Sequence, residues 1–183
     1  MTHIMVDVET THTDPEDGGI LQLAAVKFDP VMMRTGETFD RCPTMLPHRY
    51  WSDGTREFWN KHRPVLDSIY ARQEPAEQVF RDFARFCGDK SYIFVAKPVK
   101  FDWPFVESHF NQLGLQFPFG HSHYLDLHSY VSGLRGVPFR VGIEDEVPFP
   151  AGGNVHNALH DCAYQIDLIF AAQRNHVRAE VIG

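Results

Sequence analysis

At 183 residues with a formal net charge of −7, the chain is the size of one domain, and its acidity excludes a protein that holds nucleic acid by bulk electrostatics alone. With 43% hydrophobic residues, among them 15 Phe, 6 Tyr and 3 Trp, it can bury a proper core. No run approaches the ~18 consecutive apolar residues that a membrane helix needs, which sets a membrane span aside.

Met1 to Glu9 leads straight into strand-like sequence, so nothing there resembles a cleavable signal. Cys42, Cys87 and Cys162 form no CxxC pair and leave one over, which fits reduced core thiols better than a disulfide framework or a zinc site. A cytoplasmic protein of one domain, residues 1–183, is expected. The negative charge leaves a nucleic-acid enzyme open, because divalent metals reverse the local field where a substrate would lie.

In chain order, HIMVDV (3–8) reads as a buried strand ending in acids. After the polar turn TTHTDPEDGG, the run ILQLAAVKF continues as a second strand and RTGETFDR as a third. Their short connections predict antiparallel neighbours. From Ser52 the pattern becomes helical, with Ser52 or Asp53 as cap and Pro64 starting a second helix. Val79, Phe80, Phe83 and Phe86 form a helical stripe that Gly88 ends. YIFVA (92–96) is a short buried strand. WPFVESHFNQLG follows as a helix with Pro104 near its start, and HYLDL (123–127) is another strand. The stretch 134–155, rich in Pro and Gly, reads as a long irregular loop, a candidate lid. A last helix runs from about Asn157 to Val177, with Ile166, Leu168, Ile169 and Phe170 inward.

Asp7 and Glu9 stand two apart on a strand, so both side chains leave one face. Two carboxylates at the end of an apolar strand call for a counter-charge, and oxygen ligands suit magnesium or manganese. Taken alone, they equally describe a surface pair. Asp102, in KFDWPFV, has the ordinary reading of a helix cap. His156 and Asp161, in HNALHD, lie about 500° apart on a continuous helix. They converge only if His156 stands in the loop before the helix, an arrangement that the preceding AGGN permits. His160 would point elsewhere.

Together, DVETTHTDPEDGGILQLAAVKFD, KFDWPFVESHF and HNALHDCAYQ resemble, in order, the three exonuclease motifs of the DEDDh family, from Met1 to about Gln173. The segment TREFWNKHRP, through Thr55, Phe58 and Trp59, is similar to bacterial and phage exonucleases related to a mycobacterial adenosine-preferring exoribonuclease. His12 replaces a glycine common after DVETT, and AKPVK lacks the small polar residue often found before the motif's Asp102; neither change removes a ligand.

The resemblance implies an α/β, ribonuclease H-like mixed sheet, three antiparallel strands followed by parallel ones, flanked by helices. It implies a 3′-5′ exonuclease releasing nucleoside 5′-monophosphates from single-stranded RNA or DNA, tilted toward RNA. Asp7, Glu9, Asp102 and Asp161 become ligands of two Mg²⁺ or Mn²⁺ ions, and His156 the general base. A homodimer is implied as well. Trp59, Phe101 and Trp103 are candidates for stacking on terminal bases, with core packing as the plainer reading of the latter two. Lys97, Lys100, Arg135 and Arg140 are candidate phosphate contacts, and Asp126 reads as a helix cap. Two other readings are a non-catalytic nucleic-acid-binding domain on the same fold and a metal phosphatase acting on small nucleotides.

Overall fold

The structure is a computed structural model that describes residues 1–88, 91–144, 147–150 and 155–182, the last helix with side chains to residue 176. One six-stranded sheet organises it, in the order β4-β3-β2-β1-β5-β6. Strands β1 (His3–Thr10), β2 (Ile20–Asp29) and β3 (Arg34–Pro43) pair antiparallel. β5 (Ile93–Ala96) and β6 (Tyr124–Asp126) run parallel to β1 on its other side. The expected antiparallel-then-parallel order is what forms. A two-residue β4 (Gln73–Glu74) adds to the edge.

Alternation along β1 builds two layers. Ile4, Val6 and Val8 enter the core with α3 (Ala76–Cys87) and α4 (Val99–Gln112), where Phe80, Phe83, Phe94, Phe105 and Phe110 are fully buried. Met5 points the other way, onto α6 (Ala158–Ile182) through Cys162, Ile166 and Ile169. Asp7 and Glu9 continue the Met5 face, so β1 passes from apolar to acidic under the start of α6.

The third cluster explains the segment between β3 and α3. β2 slips register opposite Glu9 and Thr10, pairing Glu9 with Gln22 but Thr10 with Ile20. Leu21 thereby joins Cys42, Trp59, Leu66 and Ile69, drawing α1 (Asp53–Lys61) and α2 (Arg63–Tyr70) against the end of β1. Ser52 caps α1 by accepting from the Thr55 amide, and Pro64 occupies the first turn of α2, as expected.

Three expectations change. Helix α4 begins at Val99, so Pro104 lies inside it. The Asp126 carboxylate accepts the Val99 amide at 3.1 Å, a cap supplied from the neighbouring strand rather than from local sequence. Residues 128–133 carry no predicted element, yet the chain forms α5 (Leu127–Leu134), which takes the last residue of the expected strand 123–127 and the first of the expected loop and is capped by the same Asp126 through the Ser129 amide. The expected loop is partly pinned. Ile143 is fully buried, and the Tyr164 hydroxyl donates to the carbonyls of Val147 and Glu144. The AGGN segment expected to present His156 lies outside the described residues.

Candidate active site

Asp7, Glu9 and Asp161 each place a carboxylate oxygen so that all three lie within 4.8 Å of one another. β1 supplies the first two from one face, and the first turn of α6 supplies the third. Asn157 starts that turn, its side-chain oxygen accepting the His160 amide at 3.3 Å. The Gln22 side chain, opposite Glu9, accepts the Ala158 amide at 3.2 Å and ties the helix start to the sheet. Asp102 stands beside this trio rather than within it. It is 3% exposed and accepts the Val8 amide at 3.0 Å, and its charge is felt by both Asp7 and Glu9.

Burial raises the pKa of all four acids, and like charges add to it at Asp7 and Glu9. Burial, then Asp102, Glu9 and Asp161, pushes the Asp7 carboxyl well above its ordinary range, against the hydrogen bond from Gln165. Burial, with Asp161 and Asp102, raises Glu9 to about 8. Burial raises Asp102 to about 8 against its bond from Val8, and Asp161 to about 6 against its bond from the His156 amide. Among the described residues, no lysine or arginine forms an ion pair with any of the four. Like carboxylates without a cation suit hard divalent ions, which favour the charged forms and reverse the repulsion.

His156 stands in the turn before α6, in the left-handed region at φ 66°, and its amide donates to Asp161 Oδ2 at 3.1 Å. The turn thus puts the His156 backbone, rather than a helical neighbour, against the Asp161 carboxylate. The His156 ring meets the rings of Phe58, 4.7 Å away, and His62, 4.5 Å away. Burial, with His62 beside it, holds the imidazole below its ordinary value, so it is neutral near pH 7.

Sequence reasoning missed two features. Gln165 is 5% exposed and donates to Asp7 Oδ1 at 2.8 Å. Its spacing of four from Asp161, on the same face of α6, is the available signal. His62 and Phe58 were legible only as part of a resemblance, without a place.

The stacking candidates fare differently. Trp59 is 2% exposed, with its indole N–H donating to the Thr10 carbonyl at 3.0 Å, so it offers no face to a base. Trp103 packs among Phe94, Phe117 and Tyr124 and donates to Glu107. The Trp59 expectation is corrected, since its ring completes a buried cluster, whereas half-buried Trp103 follows the plainer reading of core packing. Phe101 is half-buried with its ring on Phe105, 4.9 Å away. Of the candidate phosphate contacts, Lys97 pairs with Glu144 at 2.9 Å and Arg140 lies 3.9 Å from the same carboxylate. Arg135 reaches the Gly142 carbonyl, and Lys100 is exposed.

Residues 2–173 match the family described as the 3′-5′ exoribonuclease Rv2179c-like domain. The chain belongs to that family. This Rv2179c-like domain is similar, at 15% identity, to the nuclease domain of 3′hExo, a DEDDh family member solved bound to rAMP; 94% of this chain and 91% of that one superpose, with a TM-score of 0.71. It is similar, again at 15% identity, to E. coli exonuclease I in complex with a dT13 oligonucleotide, over 100% of this chain and 43% of that one, with a TM-score of 0.73. These likenesses show the ribonuclease H-like fold of the DEDDh exonucleases. A PolC-type DNA polymerase III of Halalkalibacterium halodurans is 31% identical over 113 residues, 61% of this chain and 7% of the polymerase. The Rv2179c-like domain therefore spans a small fraction of the polymerases it matches.

Proposed function

We propose that this domain is a metal-dependent 3′-5′ exonuclease, hydrolysing the terminal phosphodiester of single-stranded RNA or DNA and releasing nucleoside 5′-monophosphates. RNA is the preferred substrate in this reading, following the family's description as exoribonucleases. One observation carries it: three carboxylates converge within 4.8 Å, with Asp102 beside them and, among the described residues, no lysine or arginine in an ion pair with them. Asp7, Glu9, Asp102 and Asp161 would hold two Mg²⁺ or Mn²⁺ ions. Such ions, when bound, supply charge stabilisation at the phosphoryl and leaving oxygens.

The chain's own part is positional and protonic. Gln165 fixes Asp7 through Oδ1, and the His156 amide fixes Asp161 through Oδ2. Asp7 and Asp161 are thereby each held in one orientation by a neutral donor. The neutral imidazole of His156 accepts the proton of the attacking water on a ring nitrogen. Free, buried Cys42, Cys87 and Cys162 fit a reducing, cytoplasmic setting. No helix among the described residues is long and apolar enough to cross a membrane. A homodimer is part of the same proposal.

The test is digestion of matched 5′-labelled RNA and DNA oligomers, with free and blocked 3′ ends, in Mg²⁺, Mn²⁺ or EDTA. Stepwise shortening of the free-ended strand, abolished by EDTA and by the block, is expected. Binding without shortening would favour the non-catalytic reading, and turnover of a chromogenic phosphate monoester alone would favour the phosphatase.

A further inference from the structure

Helix α1 is fastened to the end of β1, directly after Glu9. The Trp59 indole donates to the Thr10 carbonyl at 3.0 Å, and the Ser52 amide donates to the Thr11 carbonyl at 3.0 Å. The Thr55 hydroxyl bonds the same Thr11 carbonyl. Phe58 of α1 and His62, the residue that caps its C-terminus, stand four apart with their rings 4.5 Å from each other. The His156 ring seats against both, edge-on to Phe58 at 86° and at 64° to His62.

We infer that Phe58 and His62 are positioning residues, an aromatic clamp that holds the His156 imidazole in its working orientation over the carboxylate cluster. The inference rests on the reading of His156 as the proton acceptor. The physical need is clear from the backbone. His156 has a left-handed φ in a turn, where a side chain has no helical neighbours to fix its rotamer. A free imidazole would spend most of its time away from the attacking water, and misplacement by about 1 Å costs about a hundredfold in rate. Two rings held by α1 remove that freedom before substrate arrives. Trp59 and Thr55 then acquire a role at the site without touching it: they tether the clamp to the strand that carries Asp7 and Glu9.

The experiment is steady-state digestion of an RNA oligomer in Mn²⁺ by Phe58→Ala, His62→Ala, Phe58→Leu and His62→Phe, each also made in the His156→Ala background. His156→Ala alone comes first: if it turns over normally, the base assignment fails, and the clamp loses its object. With that drop established, Phe58→Ala and His62→Ala should lower kcat by about ten- to a hundredfold with KM within about twofold of wild type. Phe58→Leu and His62→Phe, which keep bulk at the contact, should recover most of the rate. In the His156→Ala background, the same alanine substitutions should cost nothing further, because the clamped group is gone. Full kcat in both alanine variants would overturn the clamp, as would a rise in KM alone, or a loss that persists undiminished in the His156→Ala background. Thermal stabilisation by Mn²⁺, measured on every variant, keeps misfolding apart from misplacement. Should an alanine variant misfold, the comparison of His62→Phe with His62→Asn decides, the first retaining kcat and the second, smaller and without a ring at this half-buried position, losing it.

Discussion

Removing divalent cations should make this domain progressively less stable as pH rises from 6.5 to 8, and the slope can be worked from Glu9. Burial with Asp161 and Asp102 lifts its carboxyl from an ordinary 4.5 to about 8. An acid raised in this way keeps a proton when folded that the unfolded chain has released. Its stabilisation is complete below 4.5 and is lost as pH rises through 8. Each such proton is worth about 1.4 kcal/mol per pH unit, or about 3–6 °C of Tm for a chain this long. Asp102, raised from 3.8 to about 8, acts in the same direction. Buried His109, lowered from 6.5 to about 3, opposes this slope only weakly, because its unfolded counterpart releases its remaining proton within the first pH unit of the window. The assay is thermal unfolding in EDTA and in saturating Mn²⁺ at half-unit steps of pH. In EDTA the Tm falls by at least the amount set by one proton; in Mn²⁺ the profile flattens, because the cation favours the ionised forms. Asp7→Asn keeps the Gln165 bond through Oδ1 and removes one charge, so in EDTA at pH 7.5 it should melt higher than wild type while losing most of the Mn²⁺ stabilisation. A flat EDTA profile, or a lower Tm for Asp7→Asn in EDTA, would refute the electrostatic account.

Other perturbations separate chemistry from scaffold. His156→Ala should lower kcat by about 10²–10⁴ while the Mn²⁺-induced rise in Tm is largely retained, read by oligomer digestion beside thermal unfolding. Trp59→Ala should cost about 3–5 kcal/mol in urea unfolding through loss of a filled core position, with any effect on oligomer KM following from that loss rather than from a missing stacking face. Arg49 is 7% exposed and holds the turn before β2 through the Gly18 carbonyl and the Ser108 hydroxyl. Arg49→Ala should lower stability by about 2–4 kcal/mol in the same unfolding measurement, since buried acceptors lose a charged donor.

The outline of the sheet was legible because β1 and β2 carry unbroken apolar runs and their connections are short. The acids were legible for the same reason: Asp7 and Glu9 break the pattern on one face of a strand that is otherwise buried. What escaped depended on distant partners. LHSYVSGL has a weak stripe with Ser, His and Gly between its apolar positions. It becomes helix α5 because Asp126 caps it and because Leu127 and Val131 bury fully beneath α6. The start of α4 moved upstream to Val99 through the other oxygen of the same Asp126. Trp59 reads as a candidate stacking ring because no local pattern announces the register slip that turns Leu21 onto it. His62 carried no motif of its own, and its value as a neighbour of His156 exists only once α1 docks on Thr10 and Thr11.

Crystals soaked in Mn²⁺ and measured by anomalous scattering address the metal site most directly. The account predicts strong peaks in contact with the carboxylate oxygens of Asp7, Glu9 and Asp161, with Asp102 beside them, and their disappearance in Asp7→Asn. Saturating Mn²⁺ that leaves no peak between these side chains, or peaks that survive unchanged in Asp7→Asn, would contradict it.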